Sequence, residues 1–158
     1  MSNWDVIIIG AGAAGLHCAA HAAQRGKSVL GLDHAKQAGK KILISGGGRC
    51  NFTNMYAGPE NFLSSNPHFC KSALSRYTQW DFIGLVGEYG IAYHEKTLGQ
   101  LFCDDSAKDI VRMLMSECDR HGAKVQLRTE IVSVDYDSNY RIETSRGDYS
   151  CEKLVVAC

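Results

Sequence analysis

The sequence lacks an excess of either charge. Its 17 Lys and Arg are matched by 17 Asp and Glu, for a formal net charge of +0. That balance predicts neither nucleic acid nor an anionic membrane surface as a partner. A long hydrophobic run is also missing. The apolar stretch at residues 6–9 is far too short for a membrane span or a signal-peptide core. The five residues before it, Met1-Ser2-Asn3-Trp4-Asp5, carry no Lys or Arg, so a cytoplasmic location is expected. No repeat or low-complexity stretch occurs.

No two of the seven cysteines (Cys18, Cys50, Cys70, Cys103, Cys118, Cys151 and Cys158) form a CxxC pair. The odd count and wide spacing argue against a disulfide framework or a zinc ribbon. They read as reduced thiols, mostly small buried hydrophobes. In that compartment the sequon Asn51-Phe52-Thr53 meets no glycosylation machinery.

The rest is ordinary for a globular chain: 158 residues, 45% hydrophobic and 22% charged, enough for one domain with a core. Residues 4–9 predict a short strand. Residues 13–25 predict an alanine-rich helix ended by Gly26. Residues 28–33 predict a second strand ending in Asp33. Strand, helix and strand in about thirty residues make a βαβ unit with parallel strands. Residues 39–54 form a Gly-rich connection. Residues 67–89 predict helices, with Phe69, Ala73, Leu74 and Tyr77 on one face and Phe82, Leu85, Val86 and Tyr89 on another. A short β excursion is expected over 91–103, turning at Leu98-Gly99-Gln100. Residues 106–121 predict an amphipathic helix with Ser106 as N-cap and Gly122 as its stop. Strands follow at 124–128, 130–135, 140–145 and 151–157, with turns at Asp137-Ser138-Asn139 and Arg146-Gly147-Asp148. The last strand is apolar and reads as buried. The chain stops inside it, which suggests the front portion of a longer protein.

Gly10-Ala11-Gly12-Ala13-Ala14-Gly15 matches GxGxxG between the first strand and the first helix. Gly10 permits the tight turn out of the strand. Gly12 lets a pyrophosphate approach the backbone, and Gly15 lets helix and strand pack closely. The helix N-terminus offers N–H groups and partial positive charge to phosphate. Asp33 is placed to accept from adenosine ribose hydroxyls, and it disfavours a 2′-phosphate. The other reading is a Gly-rich strand–helix turn in an unrelated α/β protein.

GxGxxG does not distinguish FAD from NAD. The second Gly-rich segment bears on that choice: Lys41, then Ser45, Gly46, Gly47, Gly48, Arg49, Cys50 and Asn51. Three consecutive glycines are poor material for the crossover helix an NAD domain would need here. They suit an anion nest, with Arg49 able to pair with pyrophosphate. A flexible surface loop is the plainer alternative.

Gly39-Lys40-Lys41-Ile42-Leu43-Ile44-Ser45-Gly46-Gly47-Gly48-Arg49-Cys50-Asn51-Phe52-Thr53-Asn54 resembles the hallmark of the YhiN-type flavoproteins, also called BaiN-like NAD(P)/FAD-dependent oxidoreductases. The resemblance continues through residues 93–96, 98–104 and 154–157. It implies an α/β, Rossmann-like FAD-binding domain with an attached β-meander. It implies an NAD(P)H-linked oxidoreductase represented by its N-terminal part, with an irregular helical insert at about 55–105. FAD would lie across Gly10 to Gly15, Asp33 with its neighbour His34, and the segment Ser45 to Asn51. The backbone at Glu130 and Ile131 would lie against adenine, and Ala157 would end the strand beside the cofactor. Family members continue well past this length, and Cys158 stands where they usually carry Thr. An NAD-binding dehydrogenase domain and an inactive, truncated nucleotide-binding module are the rival expectations.

No catalytic residue is evident. Cys50 has Met55, not a second cysteine, five residues on, which disfavours a dithiol flavoenzyme. His17 and His21 have metal-compatible spacing but no third ligand nearby, so no metal is expected. Gly39-Lys40 lacks the rest of a P-loop. His94 and Glu95 are neighbours without fixed geometry and read as an exposed turn. The substrate is an unknown small molecule.

Overall fold

The computed structural model describes residues 2–158. The chain divides into two units, Met1–Ile42 with Val111–Cys158, and Leu43–Ile110.

The first unit carries a six-stranded sheet in the order β6-β2-β1-β9-β8-β7. Strands β1 (Ser2–Ile9), β2 (Val29–Leu32), β6 (Lys124–Gln126) and β9 (Gly147–Val156) run parallel. Strands β7 (Ile131–Tyr136) and β8 (Tyr140–Thr144) complete an antiparallel meander with β9. This is a Rossmann-like α/β fold with a mostly parallel sheet. Both faces of β1 are covered, which is why residues 6–9 read as one apolar run rather than an alternation. Ile7 packs with Leu30, Leu32, Ile142 and Cys151 in one core cluster. Its neighbour Ile8, also fully buried, points to the opposite face. Burying each such side chain contributes about 1.5–3 kcal/mol.

Helix α1 (Ala13–Gln24) buries Gly15, Leu16, Ala19, Ala20 and Ala23. These follow a four-residue period, so small side chains line one stripe. Helix α5 (Lys108–His121) buries Met113, Leu114 and Cys118, and Cys118 Sγ donates to the Leu16 carbonyl of α1 at 3.4 Å. Ser106 Oγ accepts from the Lys108 N–H at 3.2 Å, the cap expected from sequence.

The second unit holds a three-stranded antiparallel sheet in the order β3-β5-β4, made of β3 (Asn51–Asn54), β4 (Tyr93–Glu95) and β5 (Gln100–Cys103). Two helices follow β3, α3 (Lys71–Arg76) and α4 (Gln79–Glu88). Thr78 caps α4 reciprocally with Asp81.

Several expectations are corrected. Residues 39–54 are not irregular throughout: they contain the short helix α2 (Lys40–Ile44), a 3₁₀ turn at Ser45–Gly48, and β3. Phe69 lies before α3 and is 81% exposed, outside the helix whose face it was expected to share with Ala73 and Leu74. The last strand starts at Gly147, because β8 and β9 join through a two-residue turn with Thr144 opposite Gly147. Its end is not buried. Val156 is 69% exposed, since β8 pairs with β9 only as far as Cys151 and β1 alone accompanies the rest. Among the described residues no helix is long and apolar enough to cross a membrane.

Candidate functional site

The GxGxxG turn sits at the C-terminal end of β1, and its three glycines differ in what surrounds them. Gly10 has φ +113°, and a Cβ there would lie 2.6 Å from the Ala157 carbonyl oxygen. A Cβ on Gly15 would meet the Gly10 carbonyl oxygen at 1.8 Å. A Cβ on Gly12 would meet nothing within 4 Å, so Gly12 faces open space. Protein packing thus explains Gly10 and Gly15 but leaves Gly12 without a structural reason.

The turn is clamped from both sides. The Gly10 N–H donates to Leu32 O at 2.8 Å, the Ala157 N–H to Ile9 O at 2.8 Å, and the Gly39 N–H to Ala11 O at 2.8 Å. Asp33, at the end of β2, accepts from the Ala11 N–H at 2.7 Å through Oδ2 and from the Ala35 N–H at 2.8 Å through Oδ1. Gly12 caps α1 with no side chain, and the first turn of α1 holds no acid. Among the described residues nothing accepts from the N–H groups of Gly12, Ala13 or Ala14. These donors and the positive end of the helix dipole lie at the Gly12 turn.

Beside this turn lies a cavity of about 350 Å³, lined by Ile9, Gly10, Leu32, Asp33, His34, Thr129, Glu130, Ile131 and Cys158. Polar groups at its rim and apolar floor residues are what a nucleoside needs. His34 is exposed, with Nδ1 3.6 Å from Asp33 Oδ1. The floor is braced by residues that sequence reasoning missed. Buried Thr129 donates its N–H to Asp33 O at 2.9 Å, and Gln126 Nε2 donates to Thr129 Oγ1 at 3.1 Å and to Tyr149 Oη at 2.9 Å. Arg128, at φ +55°, donates its N–H to Ala35 O at 3.0 Å. The Glu130 N–H is already committed to Ser145 Oγ at 3.0 Å.

In the second unit, Gly46, Gly47 and Gly48 have φ of 57°, 65° and 86°, and Cys50 follows at 52°. A Cβ on Gly46 would sit 2.8 Å from Cε1 of Phe102. The turn is tied down by Cys50 N–H to Ser45 O at 3.1 Å, Cys103 N–H to Arg49 O at 2.9 Å and Ala107 N–H to Gly48 O at 2.8 Å. Lys41 and Arg49 are exposed, and no described residue pairs with the Arg49 guanidinium. Asn51 opens β3 opposite Phe102. Burial pushes the Cys50 thiol up, while burial and then the charge of Cys50 push Cys103 up to about 12. Thiols so placed are inert.

The remaining sequence candidates separate. The His17 and His21 rings meet at a tilt of 54° with centroids 4.3 Å apart, and among the described residues no cluster of three His, Cys, Asp or Glu could hold a metal ion. His94 does not pair with its neighbour Glu95. Its Nδ1 meets Asp104 Oδ1 at 2.6 Å, and Glu95 Oε1 instead accepts from the Gly99 N–H.

Residues 4–158 match the family model described as the HI0933-like protein Rossmann domain. The chain is 58% identical over 158 residues to the ribosomal RNA dihydrouridine synthase of Escherichia coli, a match that covers 99% of this chain and 40% of that protein. It is 24% identical over 155 residues to the 3-dehydro-bile acid delta(4,6)-reductase of Clostridium scindens, covering 96% of this chain and 38% of that one. The chain therefore spans about two-fifths of the length of these curated relatives. Among solved structures it is similar to NikD, an unusual amino acid oxidase essential for nikkomycin biosynthesis, with a TM-score of 0.64 at 14% identity. That match covers 100% of this chain and 52% of the oxidase.

Proposed function

The chain belongs to the HI0933-like Rossmann-domain family, and from that premise we propose that it binds FAD and serves a reduction of a carbon–carbon double bond, with uridine in ribosomal RNA as the substrate. The observation that carries the dinucleotide reading is the open side of Gly12 beside three unpartnered N–H groups of α1. A pyrophosphate placed there would find donors, a positive dipole end and no Cβ in the way. Asp33, held at the cavity rim by the Ala11 and Ala35 N–H groups, would accept from the ribose hydroxyls. Arg49 and the Gly46 to Asn51 turn are the groups proposed for the remaining phosphate and ribityl contacts.

The choice of reaction follows the relatives' names. A dihydrouridine is a uridine with its ring double bond saturated, and a delta(4,6)-reductase also acts at carbon–carbon double bonds. When bound, the flavin supplies two-electron transfer, and the protein supplies binding, orientation and electrostatics. A reduced nicotinamide dinucleotide is the proposed source of those electrons. The balanced charge of this chain argues against a nucleic-acid partner; in this reading that expectation gives way to the relatives' names, of whose length the chain spans two-fifths.

The purified protein should be yellow and release FAD on heating, and FAD should outcompete NAD in a titration of the apoprotein. Reduced protein should then add hydrogen to uridine in a ribosomal RNA transcript. A colourless protein that takes up no FAD sinks the reading. FAD uptake with no reaction on RNA would leave the flavin reading and remove the substrate.

A further inference from the structure

The three-stranded sheet of the second unit places Asn51, Phe102 and His94 in one row, because Asn51 pairs with Phe102 and Phe102 with His94. Directly opposed residues share a face, and so do alternate residues along a strand. Asp104 lies two positions beyond Phe102, with its N–H on the Ala92 carbonyl at 2.9 Å. It therefore rises on the same face as His94. There its Oδ1 meets His94 Nδ1 at 2.6 Å. The His94 ring stacks on Phe102 at 6.4 Å with an interplanar angle of 21°. Lys96 Nζ lies 5.3 Å from the centre of the same Phe102 ring. Gly46 closes on Phe102 so tightly that no side chain fits.

An exposed ion pair contributes little to stability, commonly about 0–1 kcal/mol. What this pair does is chemical. A carboxylate on Nδ1 fixes the ring and its tautomer, leaving Nε2 as the working nitrogen. Among the described residues nothing occupies Nε2. The side chains of His94 and Asp104 are 45% and 44% exposed, so a substrate can reach them. The pair also shares Phe102 with Gly46, which begins the Gly-rich turn assigned above to the cofactor.

We propose that His94 is the proton donor of the reduction and Asp104 its positioning residue. The inference rests on the flavin-dependent reading above. In that reduction a bound reduced flavin would supply the hydride to one alkene carbon. The π pair moves to the adjacent carbon, which takes the Nε2 proton of the His94 imidazolium. The substrate gains two electrons and two hydrogens, the flavin is reoxidised, and neutral His94 regains its proton from water.

The test uses the full chain, His94→Gln and Asp104→Ala. FAD binding and flavin reduction by NADPH should be unchanged in both variants. Reoxidation of reduced protein by a ribosomal RNA transcript should slow about 100-fold or more in His94→Gln, the usual range for a lost general acid. It should slow about 10-fold or more in Asp104→Ala, as when a supporting partner is removed. The ¹⁵N shifts of His94 in the flavin-free protein give a readout that does not depend on turnover. Asp104→Ala should move the ring from the Nδ1–H towards the Nε2–H tautomer. Wild-type reoxidation in His94→Gln overturns the proposal, and so does a tautomer that Asp104→Ala leaves alone. A wild-type protein that binds no FAD defeats the flavin reading, and the donor role with it. One that binds FAD but gives RNA no electrons defeats the substrate and the donor while sparing the flavin reading.

Discussion

At the scale of single residues, the three motif glycines separate packing from binding. Gly15→Ala drives a Cβ into the Gly10 carbonyl, so the turn must open and α1 must leave β1. The melting temperature should fall by several degrees, in line with core overpacking of about 1–3 kcal/mol. Gly12→Ala meets no protein atom, and Gly12 has an ordinary extended φ of −85°. Its melt should shift little, since the change at an N-cap costs at most about 1 kcal/mol. Its FAD affinity should nevertheless drop about tenfold or more, because the methyl stands where the pyrophosphate is proposed to lie. Equal FAD affinity in Gly12→Ala and the parent would remove the phosphate from this face. His17 carries a second residue-scale expectation. Burial, and then the charge of His21, hold its pKa down to about 4, against an ordinary 6.5. The charged groups around the pair are Arg25 at the C-cap of α1 and Glu117 and His121 on α5, with Glu117 alone favouring protonation of His21. Below about pH 6.5 the unfolded chain takes up a proton that the folded chain refuses. Stability is therefore lost as the pH falls from about 6.5 towards 4. The drop in melting temperature between pH 7 and pH 4.5 should be smaller in His17→Gln than in the parent, and matched drops would exclude His17 as a contributor.

Elements differ in how far the sequence betrays them. The run β1, turn, α1 and β2 was legible because each rule it obeys operates within 33 contiguous residues. The acid at the end of β2 was legible too; its partners, the Ala11 and Ala35 N–H groups, were not, since backbone donors carry no sequence mark. Strand β3 was hidden. Asn-Phe-Thr-Asn holds two residues depleted in strands, and its partner strand begins about fifty residues later. Helix α2 was hidden by its five-residue length and by the glycines behind it. The pair His94 and Asp104 was missed for a geometric reason. Sequence adjacency suggested Glu95, but neighbours on a strand point to opposite faces, and the β4–β5 register brings Asp104 instead. The break between α3 and α4 shows the same economy in reverse, since Thr78 and Asp81 are a capping box written in four residues. The Asp81 N–H donates to Thr78 Oγ1 at 3.3 Å, and the Thr78 N–H donates to Asp81 Oδ2 at 2.7 Å. The Thr78 N–H, and then the Thr78 hydroxyl donating to the same Oδ2 at 2.8 Å, hold the Asp81 carboxyl below its ordinary value. Thr78→Ala should destabilise α4 by about 1 kcal/mol. Amide exchange through α4 should quicken about fivefold while β1 amides keep their rates; unchanged α4 exchange would mean that packing, not the cap, sets this end.

At the scale of the molecule, the first unit is discontinuous in sequence and closed by its last strand. β9 lies between β1 and β8, parallel to one and antiparallel to the other. It pairs from Ser2 opposite Tyr149 to Ile9 opposite Val156. The contacts that complete this sheet thus join residues nearly 150 positions apart, and long loops must close before they form. Without β9 the sheet separates into β6-β2-β1 and β8-β7, each with an unpaired edge. Cys151 would leave the cluster it shares with Ile7 and Ile142, and Gly10 would lose the wall formed by Ala157. A chain ending at Arg146 should therefore show no cooperative melt and no FAD binding. A chain ending at Val156 keeps every β1–β9 pair and gives up the Ala157 N–H to Ile9 bond, that wall and the Cys158 lining of the cavity. It should melt cooperatively, at a lower temperature, and bind FAD more weakly than the parent. The two truncations together distinguish a sheet that needs its central strand from a turn that needs its backing. Should the Arg146 chain melt at the parent temperature, β1, β2 and β6 would form a sheet on their own, and β9 would be an addition to the fold rather than its closure.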